Sequence, residues 1–196
     1  MAGDDIPLFP LSIVLFPGGP LPLRIFETRY VDMVRSCLRG GTPFGVLLIR
    51  EGAEVGGTAA TFDVGTLARI VDFNPMPDGL LGIICRGETR FRVLEKSRQS
   101  DGLNRGRIEP IAAPPRTQVP ERLRHLGDLL RRVLPELGTL YAAIPRDFED
   151  ADWVSCRLTE ILPLEQREKQ QLLELDDPVE RLARLDPHIQ PPSDDD

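Results

Sequence analysis

The sequence predicts an α+β protein in two parts: a β-rich part over residues 1–112 and a helical part over residues 121–189. Three observations carry that reading. Apolar runs of strand length, separated by glycine and proline, fill the first part. A linker over residues 113–120, APPRTQVP, then breaks the pattern. Beyond it the spacing of apolar residues changes from about two, the strand period, to about 3.6, the helix period.

The segment at residues 6–35, IPLFPLSIVLFPGGPLPLRIFETRYVDMVR, is apolar but punctuated by proline. Leu8-Phe9-Pro10 is echoed by Leu15-Phe16-Pro17, and Pro20 and Pro22 follow. Each proline removes a backbone donor, so the segment must be short strands broken by turns. Phe26, Tyr30, Val34 and Cys37 or Leu38 then fall on one helical face, and Gly40-Gly41 supplies a stop. Strand-length runs follow at 44–49, 64–73, 80–85, 90–94 and 107–111. Several short strands with one helix predict a small closed or half-closed barrel.

After the linker, Leu123, Leu126, Leu130, Val133 or Leu134, Leu137 and Tyr141 form one stripe, with Pro135 marking a kink or break. A second helix can start at Asp152 as N-cap and carry Trp153, Cys156, Ile161 and Leu162 inward. Pro163 suits the first turn of a third helix running to about residue 175. Asp177-Pro178-Val179-Glu180 combines an N-cap acid, a first-position proline and a capping-box glutamate ahead of Leu182 and Leu185. A bundle of about four helices results, ending in a disordered acidic tail over residues 190–196.

Composition narrows the setting. The apolar content of 41% is that of a globular chain. No apolar run reaches the roughly 20 residues needed to span a bilayer, and the acids in MAGDDIPLFP do not fit a secretory signal. Cys37, Cys85 and Cys156 are scattered and odd in number, which predicts reduced core thiols in a cytoplasmic protein. Residues 1–112 carry 13 basic and 13 acidic residues, and residues 113–196 carry 11 and 18, so the net charge of −7 belongs to the second part. Nearly all the positive charge is arginine, which suits fixed pairs with carboxylates.

The ordered series FPL, PGGPLPLRIFETRY and the helix after it resembles the start of the N-terminal, substrate-binding domain of the ATP-dependent Lon proteases. Val64-Gly65-Thr66 with Ala68, Asp78-Gly79, Gly87 and Arg90-Phe91-Arg92-Val93 are similar to later landmarks of that family, in order. Leu162-Pro163-Leu164, Lys169-Gln170, Leu172-Leu173-Glu174 and Arg181-Leu182 resemble its helical half. The resemblance covers about residues 5–187 and implies a PUA-like pseudobarrel followed by a helical bundle, in a protein where this module stands alone.

The machinery of a Lon protease has no counterpart in the sequence. No GxxxxGK[ST] loop occurs, Lys96-Ser97 lacks the preceding glycines, and Lys169 has no serine nearby. His125 and His188 sit in no metal-binding spacing, and Cys156 reads as a buried thiol rather than a nucleophile, so neither cofactor nor metal is expected. The series Arg86, Arg90, Arg92, Lys96 and Arg98 raises an RNA-binding alternative, since PUA-like domains elsewhere bind RNA. Arg90 and Arg92 are nevertheless expected on the solvated face of a half-buried strand, in a part that is neutral overall.

The expected function is non-catalytic binding of unfolded or hydrophobic polypeptide segments in connection with proteolysis, with a protease or chaperone as a further partner. The residues expected to carry it are Phe73, Pro75, Met76 and Leu80, around a hairpin tip that holds Met76 outward. Trp153 joins them as a residue within reach of a groove between the two parts. Residues 51–57 read as a flexible connection, and Phe9, Phe16 and Phe26 as scaffold.

Overall fold

The structure is a computed structural model and describes residues 5–54, 59–75 and 81–189, with the backbone alone at residues 74 and 75. The chain divides into two compact units between Ala113 and Pro114.

The first unit contains β1 (Asp5–Leu11), β2 (Pro20–Ile25), α1 (Thr28–Gly40), β3 (Phe44–Glu51), β4 (Ala60–Thr61), β5 (Val64–Pro75), β6 (Leu81–Arg98) and β7 (Asn104–Pro110). The sequence predicts strands broken at the prolines, but Pro7 and Pro10 lie within β1 and Pro20 and Pro22 within β2; only Pro17 falls in the turn between them. The sheet runs β1-β7-β6-β5-β3-β4, mostly antiparallel, and β1 also pairs in parallel with β3. The pairings of β1, β7, β6, β5 and β3 therefore close on themselves. β2 lies along the first half of β6, and β7 along the second half.

Alternate residues leave a strand on opposite faces, and here both faces are buried. Phe9, Val46, Ile83 and Cys85 enter one apolar cluster with Tyr30, Met33, Val34 and Cys37 of α1. Their strand neighbours Leu8 and Leu47 enter a second cluster with Phe91, Val93 and Ile108. Two glycines permit the close approach of backbones: a Cβ on Gly65 would lie 2.1 Å from the Val46 carbonyl oxygen, and one on Gly87 at 2.1 Å from that of Phe16.

Three more expectations need correction here. The runs at 80–85 and 90–94 are one strand, because one extra residue is absorbed as a bulge in which Glu88 and Thr89 stand opposite Leu67. Arg90 is only 4% exposed beside the buried Phe91, so it is not solvated as Arg92 is, although the two share a face of the strand. Finally, α1 begins at Thr28 with Glu27 as its N-cap, so Phe26 lies outside the helix and is 56% exposed. Phe9 and Phe16 are buried scaffold; Phe26 is not.

The second unit contains α2 (Arg124–Val133), α3 (Thr139–Ala142), α4 (Ala151–Ile161), α5 (Gln166–Glu174) and α6 (Pro178–Leu185). Pro135 sits in a 3₁₀ turn at Leu134–Leu137 that ends α2, as a missing donor requires. The N-cap of α4 is Asp150, which accepts from the Trp153 and Thr117 amides, rather than Asp152. Pro163 precedes α5 instead of opening it. At α6 the capping signal is realised: Asp177 accepts from the Val179 and Glu180 amides at 2.8 and 3.3 Å.

Arginine forms fixed pairs inside this unit. Arg157, with a side chain 0% exposed, donates to both carboxylate oxygens of Glu160 at 2.6 and 2.8 Å. Arg181, at 1%, donates to Asp152 at 2.7 Å, to the Leu172 and Leu175 carbonyls at 2.9 and 2.7 Å, and to the Ser155 hydroxyl at 3.0 Å. These bonds tie α4, α5 and α6 together.

Candidate functional site

Phe26, one of the exposed large apolar residues of the first unit, stands where β2 passes into α1. A cleft of about 260 Å³ opens there, lined by Phe9, Leu11, Pro22, Leu23, Arg24, Ile25, Phe26, Glu27, Tyr30 and Glu54. Its floor belongs to the first core cluster: Phe9, Leu11, Ile25 and Tyr30 are all buried. Tyr30 stacks on Phe9 with ring centroids 4.0 Å apart, and the Arg29 guanidinium lies 4.7 Å above the Tyr30 ring. Burial pushes the Tyr30 phenol above its ordinary pKa despite that cation, so it stays neutral as a hydrogen-bonding group.

The lining also holds charged residues beside the aromatic ones. Arg29 is held by Glu27 at 2.7 Å and donates to the Gly102 carbonyl at 2.9 Å, which fixes the first turn of α1. Glu54 accepts from the Ser12 amide at 2.5 Å, bringing the end of the β3 loop to the cleft. Phe26 also lines the cleft and is 56% exposed. Full burial of a phenylalanine is worth about 1.5–3 kcal/mol, and folding leaves much of that unused at Phe26. The floor is apolar and the acceptors stand at the edge, an arrangement suited to holding an apolar group and unsuited to bond chemistry.

Of the residues expected from sequence, Phe73 is 55% exposed on β5. It pairs with Ile83 of β6, which in turn pairs with Leu23 of β2, so register places Phe73 on the face that carries Leu23. The backbone of Pro75 pairs with Leu81. Met76 and Leu80 lie outside the described residues. Trp153 belongs to the second unit, where it is half-buried on α4 in a T-shaped contact with Phe148, ring centroids 5.1 Å apart, and its indole N–H has no acceptor among the described residues. Sequence reasoning missed Phe26 and Glu54 as site residues. A signal for Phe26 was present in Thr28, a favoured N-cap residue type that would have put Phe26 before the helix, although the helix starts at Thr28 with no side-chain cap bond from Glu27.

The basic series does not form a patch. Arg90 is buried, Lys96 is bonded to Asp63 at 2.7 Å, and Arg98 donates to the Gly102 carbonyl at 3.3 Å. His125 lies 2.7 Å from Asp186 and His188 lies 3.0 Å from Glu168, each in a two-residue pair. All three cysteines are buried and free, and desolvation pushes the Cys85 and Cys156 thiols up to about 12. No helix among the described residues is long and apolar enough to cross a membrane.

The fold is therefore a mixed α/β one, an antiparallel sheet followed by several helices, carrying an apolar cleft. Residues 5–190 match the family described as the ATP-dependent protease La (LON) substrate-binding domain, and the chain belongs to that family. It is similar to a Lon N-terminal domain protein from Xanthomonas campestris of known crystal structure, with a TM-score of 0.80 and 35% identity, covering 95% of this chain and 99% of that one. It is 31% identical to the Lon protease of Anaeromyxobacter dehalogenans over 92% of this chain and 22% of that protein. Against the Lon protease of Cytophaga hutchinsonii the identity is 26%, over 92% of this chain and 23% of that protein. The chain thus spans less than a quarter of the length of these Lon proteases.

Proposed function

We propose that this chain is a non-catalytic polypeptide-binding module that captures unfolded or hydrophobic protein segments in connection with proteolysis. Residues 1–112 act as a PUA-like pseudobarrel, a reading supported by the closed cycle of strand pairings, and residues 121–189 as a helical bundle. The observation that carries the proposal is the apolar cleft with the exposed Phe26 in its lining, in a chain whose family is described as substrate-binding. Phe73, on the same face of the sheet as Leu23, belongs to the same surface, and Pro75, Met76 and Leu80 are proposed as further contact residues. Trp153, half-buried on α4, is a second contact point. Captured segments are passed to a protease or chaperone in the cytoplasm, where buried thiols such as these stay reduced.

Titration of the full chain with a fluorescently labelled, permanently unfolded polypeptide tests the proposal. Micromolar binding without nucleotide, weakened at least tenfold by Phe26→Asp, is expected. A panel of unfolded chains that all fail to bind would remove the reading.

A further inference from the structure

Over the first half of β6 the strands β2, β6 and β5 form a three-stranded arm, with β5 at one edge. β3 pairs with β5 only at residues 66–68, so no strand among the described residues pairs with the other side of residues 69–75. Main-chain groups of a strand point to its two sides in alternation. Pro20 and Pro22 cannot donate, so β2 bonds β6 through Leu21, Leu23 and Ile25, opposite Cys85, Ile83 and Leu81. Those three residues of β6 turn away from β5. The β5 residues facing them, Ile70, Phe73 and Pro75, therefore turn their own main-chain groups to the open edge.

An edge of this kind invites another strand, the more so because Val71 and Phe73 on it are 51% and 55% exposed and favour extended backbone. Three features oppose that pairing. Val71 and Asp72 both stand opposite Ile84 as a bulge, which spaces the outward residues at 70, 73 and 75 and breaks the two-residue repeat a partner strand requires. Pro75 has no amide hydrogen to offer. The Asp72 carboxylate accepts from the outward Phe73 amide at 2.8 Å and so occupies it. Of the three outward residues, Ile70 alone is left with a donor to give.

We infer that Asp72 is a gatekeeper: by occupying the Phe73 amide it keeps the β5 edge from pairing antiparallel with the same edge of a second copy of this chain. Two-fold pairing brings the exposed Val71 and Phe73 of both copies to one seam, which favours a second copy as the partner. It also brings the two Asp72 carboxylates to that seam, where like charges repel and the bond withheld on one chain is withheld on the other. The guard acts whether or not the chain captures polypeptide, so its loss leaves that reading untouched.

Sedimentation velocity of the full chain over a concentration series tests the guard, with circular dichroism as the check on folding. Asp72→Ala is expected to self-associate about tenfold more tightly than the parent, or more, since it frees one bond on each of two edges. Asp72→Asn keeps an acceptor for the Phe73 amide without the charge and should lie between the two; it carries the same comparison if the alanine variant does not fold. In the Asp72→Ala background, Phe73→Pro removes the freed amide without costing a bond to β6 and should restore the parent's behaviour. Phe73→Ala keeps that amide and should leave most of the association. The inference is overturned if Asp72→Ala associates no more than the parent, or if its association survives Phe73→Pro or vanishes with Phe73→Ala.

Discussion

The two units solve the problem of a small interior in opposite ways. Among the described residues, the β-rich unit buries two polar side chains, Thr66 and Arg90, whereas the helical unit buries six, including Arg157, Lys169 and Arg181. The β-rich unit needs little polar bonding inside because its backbone is satisfied by a sheet that closes on itself, and its glycines let strands approach closely. The helical unit is made of short helices, which are marginal alone, and uses guanidinium groups to bond carbonyls and carboxylates from several of them at once. One unit thus keeps apolar surface for its outside, and the other spends polar groups on its inside.

The largest test of that contrast is Arg181→Ala, which strands Asp152 and two carbonyls and is expected to cost about 3–5 kcal/mol in denaturant unfolding. Arg181→Met should cost much less, since replacing a buried charge by an apolar group of similar size is often tolerated; equal losses would mean the charge itself is required. Next is Gly65→Ala in the first unit. It forces a methyl group against the Val46 carbonyl and is expected to lose about 1–3 kcal/mol or more, although it removes no bond. Asp177→Ala should cost about 1 kcal/mol by leaving two amides of α6 uncapped.

Phe26→Asp reverses the pattern. Stability is expected to stay within about 0.5 kcal/mol of the parent, as for an exposed position, while polypeptide binding is lost. The smallest effect concerns acid. Arg116 holds the Asp147 carboxyl below its ordinary pKa of 3.8 through two bonds of 3.0 Å. The folded state therefore gains from this pair above the ordinary value and loses the gain as pH falls through the lowered one. Asp147→Asn should slightly flatten the acid limb of stability below about pH 4, measured by thermal unfolding; an unchanged limb would show the pair to be idle.

Much of this architecture was legible because it is local. Asp177, Pro178 and Glu180 announce α6 within four residues, and Pro135 ends α2 where a helix loses its donor. What escaped was set by partners far away in the chain. Arg90 is buried on a strand paired with Thr66 of β5, and the ion pair of Asp152 joins it to Arg181 across 29 residues. The cleft escaped for the same reason: Glu54 reaches it from the end of β3, opposite β2 and α1, and no spacing in the sequence records that meeting. Phe26 was misplaced by its helical spacing to Tyr30, because periodicity does not mark where a helix begins.

The place of β1 has a consequence for how the protein is made. Asp5 pairs with Arg107, and the last link of the closed sheet is therefore available only after some 100 further residues have left the ribosome. At about 5–20 residues per second that is a wait on the order of 5–20 s. For that interval one of the chain's most apolar stretches has no finished sheet to join, so a newborn binder of exposed hydrophobic segments is itself a client for the same kind of protection.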